Sequence, residues 1–205
     1  MWAVFGNGVF GRKSEGGAVN FELVVVNIFV YFCKKNLMDL KEESQTAESY
    51  EALEKKYETE RNKPMPSKNH STIQFLLSVA LGKYLNEFSF FTELSLTLPD
   101  VKPAVPDVAI YPKTKIDLFE DEIKVSEPPI TAIEILSPTQ SVDEVKDKIF
   151  DIYFPGGVKS AWLIIPTVRT VYIFTPDKKV ALFRDGLLKD EVTGIELTLN
   201  DFLPQ

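Results

Sequence analysis

The sequence predicts a mixed α/β (α+β) fold, with a central sheet of mixed strand direction flanked by helices. Two observations carry this. Residues 130–136, 141–154 and 161–165 read as strand, helix and strand, a unit whose right-handed crossover joins parallel strands. Around that unit stand further strand-like segments bounded by turn residues, so parallel and antiparallel neighbours share one sheet.

Residues 1–37 differ from the rest. Residues 1–20 are glycine-rich and without periodicity, and they lead to the apolar run 24–33. That run is about ten residues, half the roughly twenty that cross a bilayer. It contains Asn27, follows Glu22, and is not succeeded by an A-x-A-like cleavage site. We read residues 1–37 as an extension ahead of a natural start at Met38; an N-terminal strand or an interfacial anchor is the alternative.

Residues 39–61 are highly charged, with Leu40, Tyr50, Leu53 and Tyr57 as sparse apolar points, which predicts an amphipathic surface helix. Two prolines make 62–69 a loop. A strong helix follows over 71–87, where Ile73, Leu76, Leu77, Ala80, Leu81, Tyr84 and Leu85 fall on one face. Residues 90–98 end in the alternation Leu94, Leu96, Leu98, as in a half-buried strand, and 107–111 form a second, short strand. The third, 130–136 (ITAIEIL), is apolar on both faces apart from Thr131 and Glu134. The helix over 141–154 carries the stripe Val142, Val145, Ile149 and Ile152, and the strand 161–165 (AWLII) reads as buried. Residues 170–174 and 180–183 predict a hairpin across 175–179, with 195–199 as an added edge.

The 205 residues suit one domain, 38–205, plus the extension. A chain 44% hydrophobic and 26% charged can bury a sizeable core. Its net charge of −7 argues against a general polyanion binder, though a local basic cleft can coexist with an acidic total. The lone Cys33 makes an internal disulfide impossible and fits a reducing cytoplasm. The single His70 excludes histidine-rich zinc sites, and no G-x-S-x-G elbow is present. Chemistry must then rest on carboxylates, lysines or a metal held by oxygen ligands.

Glu134 is the most informative residue, because a carboxylate in the middle of an apolar strand must find a partner or a cation. A salt bridge or a solvent-facing strand end is the plainer explanation. Asp107 follows Pro106 at the start of the second strand, where a turn or cap role is common. Two acids on neighbouring strands, with lysines on the next helix, make a different pattern. Magnesium needs only one or two carboxylates plus water and substrate phosphate.

Pro106-Asp107-Val108, Pro128-Pro129, Glu134-Ile135-Leu136-Ser137-Pro138-Thr139, Lys148, Tyr153, Gly157-Val158 and Trp162–Pro166 together resemble the Uma-type endonuclease family of the PD-(D/E)XK superfamily. Tyr57-Glu58 and the segment from Pro66 to His70 extend the resemblance upstream, so that it covers roughly residues 39–183. The resemblance implies a restriction-endonuclease-like core of four mixed strands and a Mg2+- or Mn2+-dependent endonuclease acting on DNA. Asp107 and Glu134 would be metal ligands, joined by the backbone carbonyl of Ile135, and Lys148 would assist attack by water. Leu136 stands where an orthodox member has lysine. The spacing from Lys148 to Tyr153 is one residue longer than the family pattern, which keeps Lys146 as the alternative lysine.

Gln140 could reach the metal-bound water, Glu58 the cleft, and His70 the site, against plainer readings as loop amide, surface residue and helix-start residue. Trp162 and Tyr153 read as core rather than base-stacking platforms. The expected partners are DNA and, by analogy with restriction enzymes, a second copy in a homodimer, with no membrane. The competing function is a catalytically silent nuclease fold used for nucleic-acid binding or assembly.

Overall fold

The computed structural model describes residues 65–204, together with 2–5, 9–12 and positions 35, 49, 50, 52, 53, 55, 56 and 59. The chain divides into two units, residues 1–53 and 54–205. In the first, β1 (Trp2–Phe5) and β2 (Val9–Arg12) pair antiparallel, Trp2 opposite Arg12 and Phe5 opposite Val9. The apolar run 24–33 lies outside the described residues, as does most of the charged segment 39–61, whose described positions 49, 50, 52, 53, 55, 56 and 59 are helical. No described helix is long and apolar enough to cross a membrane.

In the second unit, α1 (Lys68–Leu81) begins at Ser67, whose hydroxyl accepts from the His70 N–H at 3.2 Å. It buries His70, Ile73, Leu77 and Leu81, a stripe at helical spacing. A 3-10 turn, Gly82–Tyr84, replaces the last predicted turns. The strands are β3 (Phe88–Thr92), β4 (Ser95–Leu96), β5 (Val108–Pro112), β6 (Lys124–Val125), β7 (Thr131–Ile135), β8 (Ser160–Ile165), β9 (Thr170–Phe174), β10 (Val180–Phe183), β11 (Leu187–Lys189) and β12 (Glu196–Thr198). Between β7 and β8 lies α2 (Val142–Lys148), and α3 (Leu199–Phe202) follows β12.

Six strands form the main sheet in the order β10-β9-β8-β7-β5-β3. β7 and β8 are parallel, as the crossover requires, and the other pairs are antiparallel. Every residue of β7 and β8 is buried, because helices or loops cover both faces; hence their largely apolar sequences, interrupted by Thr131, Glu134 and Ser160. One face packs Ile133, Ile135, Trp162 and Ile164 against Ile73, Leu77 and Leu81 of α1 and Phe202 of α3. The other packs Ala132, Ala161 and Leu163 against Val145, Ile149 and Tyr153. The expected four-stranded core is extended by β3 on one side and β10 on the other.

Three expectations need correction. The single strand over 90–98 is two, because Glu93 adopts a left-handed conformation (φ 57°) that turns the chain. β4 therefore leaves the main sheet and pairs in parallel with β6. The predicted edge at 195–199 is β12, which pairs with β11 in a separate ladder. The helix over 141–154 is α-helical only to Lys148 and continues as a π turn, Ile149–Tyr153.

Candidate metal centre

β5 and β7 run antiparallel with Val108 opposite Ile133, so Asp107 and Glu134 occupy the next positions along the pair. Both are buried: Asp107 is 0% and Glu134 2% exposed. Neither therefore acts as a solvent-facing turn or strand-end residue. Asp107 N–H donates to Ile133 C=O at 3.0 Å, and Asp107 Oδ2 accepts the N–H of Ile135 at 2.5 Å. These bonds clamp the aspartate to the strand that carries the glutamate.

The helix side supplies the partners of Glu134. Ser141 and Glu144 form a reciprocal capping box that starts α2 immediately after the β7 loop. The helix then carries Lys148, 7% exposed, over the sheet, where its Nζ lies 2.8 Å from Glu134 Oε1 and donates to Val105 C=O at 3.1 Å. The plainer reading of Glu134 as one half of a salt bridge is thus correct as far as it goes. The π turn next presents Tyr153, whose hydroxyl donates to the same Oε1. Burial, and after it the charge of Glu134, pushes the Tyr153 phenol well above its ordinary pKa, and Asp107 and Glu93 add to the effect. All four groups therefore share one electrostatic environment.

The π turn also accounts for the long spacing from Lys148 to Tyr153. Its i→i+5 bond, from Phe154 N–H to Ile149 C=O at 3.0 Å, accommodates one residue more than an α-helical turn. Lys148 is thereby the lysine at the carboxylates. Lys146 is half-exposed and lies 3.5 Å from Asp143.

From the opposite helix, α1, His70 Nε2 comes within 3.0 Å of Asp107 Oδ1. The approach is off the hydrogen-bonding direction, and neither ring nitrogen has a hydrogen-bond partner among the described residues, although the side chain is 1% exposed. Ser67, not His70, supplies the helix cap. One turn further, Gln74 Nε2 donates to Asp107 C=O at 2.8 Å and to Glu93 Oε1 at 2.9 Å. Sequence reasoning missed Gln74, Glu93 and the contact made by Tyr153. The available signals were Glu93 interrupting an apolar alternation and the extra residue before Tyr153.

The side-chain oxygen of Gln140 accepts the Ser137 N–H at 3.2 Å. Glu58 lies outside the described residues. Trp162 is core, its Nε1–H donating to Asp190 at 3.1 Å. A groove of about 1090 Å³ runs past Lys148 and Gln140. Its charged lining is mixed: Lys55, Lys102 and Lys148 against Asp100, Glu144, Asp147 and Asp151.

The Uma2 family model, described as "Putative restriction endonuclease", matches residues 45–200. The chain is also similar to the solved structure of "a putative nuclease belonging to DUF820" from Anabaena variabilis ATCC 29413. Identity is 28% and the TM-score 0.57, with 68% of this chain and 83% of that chain covered. No curated protein matches the sequence.

Proposed function

The chain belongs to the Uma2 family of restriction-endonuclease type, and on that premise we propose that it hydrolyses DNA phosphodiester bonds with Mg2+ or Mn2+. The observation that carries the reading is the burial, side by side, of Asp107 and Glu134 with Lys148 on the same glutamate oxygen. The donor set fits a hard cation: carboxylate oxygens, each carboxylate with about four lone-pair sites, and a neighbouring carbonyl. In an extended strand the N–H and C=O of one residue face the same neighbour. The Ile135 carbonyl therefore lies on the side where Asp107 accepts the Ile135 N–H. Among the described residues no three His, Cys, Asp or Glu side chains cluster as metal ligands, so water would complete the shell of a cation held by the two carboxylates.

A divalent cation bound there supplies an activated water and neutralises charge on the scissile phosphate. Lys148 stands where its ammonium can orient that water or hold a phosphate oxygen. From α1, His70 stands beside the Asp107 carboxylate and Gln74 donates to the Asp107 backbone carbonyl. The groove beside Lys148 is the path by which a strand reaches the centre.

The test is cleavage of supercoiled, linear and single-stranded DNA with Mg2+ or Mn2+, wild type beside Glu134→Gln and Asp107→Asn. We expect cleavage by wild type and none above background by either variant. Equal activity in all three would place the centre elsewhere. The carboxylates of the groove favour one second reading, a nuclease fold that serves assembly without cleaving. Folded wild-type protein inert on every DNA form would select it.

A further inference from the structure

Tyr153 is fully buried, and a phenylalanine would fill the same core space. A buried hydroxyl is costly unless it finds a partner, and here the partner is a carboxylate. The Tyr153 hydroxyl and the Lys148 ammonium both hold Glu134 Oε1, and the ammonium also lies 5.5 Å from the centre of the tyrosine ring. The three side chains form a closed set.

The backbone departs from α-helical geometry to make that set. In an α-helix residues i and i+4 share a face, so Ile152 would stand below Lys148. The π turn Ile149–Tyr153 moves that place to i+5, which is Tyr153. Resting on the metal-centre reading above, we propose that Tyr153 is a positioning residue of that centre, fixing the Glu134 carboxylate that receives the cation. One donor on a carboxylate oxygen leaves the group free to swing; two donors arriving from different directions fix its plane.

The experiment is a calorimetric Mn2+ titration of the full chain as wild type, Tyr153→Phe, Tyr111→Phe and Glu134→Gln, each checked by thermal melting. DNA cleavage is followed against Mn2+ concentration for the same proteins. Tyr111 is the control, since it is also buried and its hydroxyl donates away from the centre, to Glu127 C=O at 2.8 Å. Loss of an outer partner of a metal ligand costs about 10–100-fold in affinity, and we expect that loss in Tyr153→Phe and none in Tyr111→Phe. Cleavage by Tyr153→Phe should recover as Mn2+ is raised, with the KM for DNA unchanged; a purely structural defect would not recover in this way. Equal Mn2+ affinity in wild type and Tyr153→Phe would overturn the proposal and leave the centre standing. Wild type that binds no Mn2+, or binding that survives Glu134→Gln, would remove the centre and this proposal with it.

Discussion

Glu134, on β7, and Asp190, which packs against β7 and β8, are both buried, on opposite faces of the sheet. Asp190 is 0% exposed and accepts from Thr131 Oγ1 at 3.2 Å, Trp162 Nε1 and Thr193 Oγ1 at 3.1 Å, and Val192 N–H at 3.0 Å. Each donor is neutral, and two belong to its own turn. Glu134 instead meets an ammonium from α2 and a phenol from the π turn, and that ammonium lines a groove. Burial alone does not mark a site. A carboxylate enclosed by neutral donors pins a turn to the sheet, here the one joining β11 to β12. A carboxylate tied to a cation at a groove wall is equipped for exchange with a ligand.

The largest effect on stability should come from breaking the charged pair. Removing one partner of a buried ion pair costs about 3–5 kcal/mol, so Lys148→Met should lower unfolding free energy by that order in urea melts. The same change made on Glu134→Gln should cost much less, because the charge left unpaired is gone. A cost that did not shrink would show that Lys148 stabilises by packing alone. Next comes Asp190→Ala, which strands several buried donors and should cost about 2–3 kcal/mol while leaving Mn2+ affinity unchanged. A fall in Mn2+ affinity would erase the contrast between the two carboxylates.

The smallest effects lie outside both centres. Lys146→Ala breaks only a half-exposed pair with Asp143 and should change stability by less than about 0.5 kcal/mol, with cleavage unaffected. Asp177 has a cation partner without burial. Hydrogen bonds from Lys179 first, then Thr175, hold its carboxyl at about 2, below its ordinary range. A depressed carboxylate pKa contributes stability above the ordinary value, lost as pH falls through the folded one. Asp177→Asn should therefore differ slightly from wild type at neutral pH in urea melts, and the difference should vanish as pH falls below about 2. A large difference would mean that pairing, rather than burial, governs these carboxylates.

Much of the fold was legible because periodicity reports burial. The ten apolar residues of ITAIEIL and AWLII leave little but a doubly covered parallel pair, and the crossover rule then orders the helix between them. Glu134 stood out for the same reason, since an acid amid such residues must be partnered. Glu93 did not, because its left-handed turn is imposed where Gln74 and the Asp107 backbone meet it, and its own neighbours look like strand. Asp190 escaped notice because DEVTG reads as an ordinary turn, and its burial comes from Thr131 and Trp162, far away in the chain.

The amino-acid sequence by itself determined the strand–helix–strand unit, the family and the two carboxylates, because each is written in local pattern and in residue types out of place. Only the tertiary structure decided which lysine meets Glu134 and that Tyr153 meets it too. The choice turns on one residue of helical phase, and a π turn changes that phase without altering the hydrophobic stripe from which a helix is read. It likewise decided that His70 stands beside Asp107, since that approach depends on how α1 packs across the sheet and not on any neighbour in the chain.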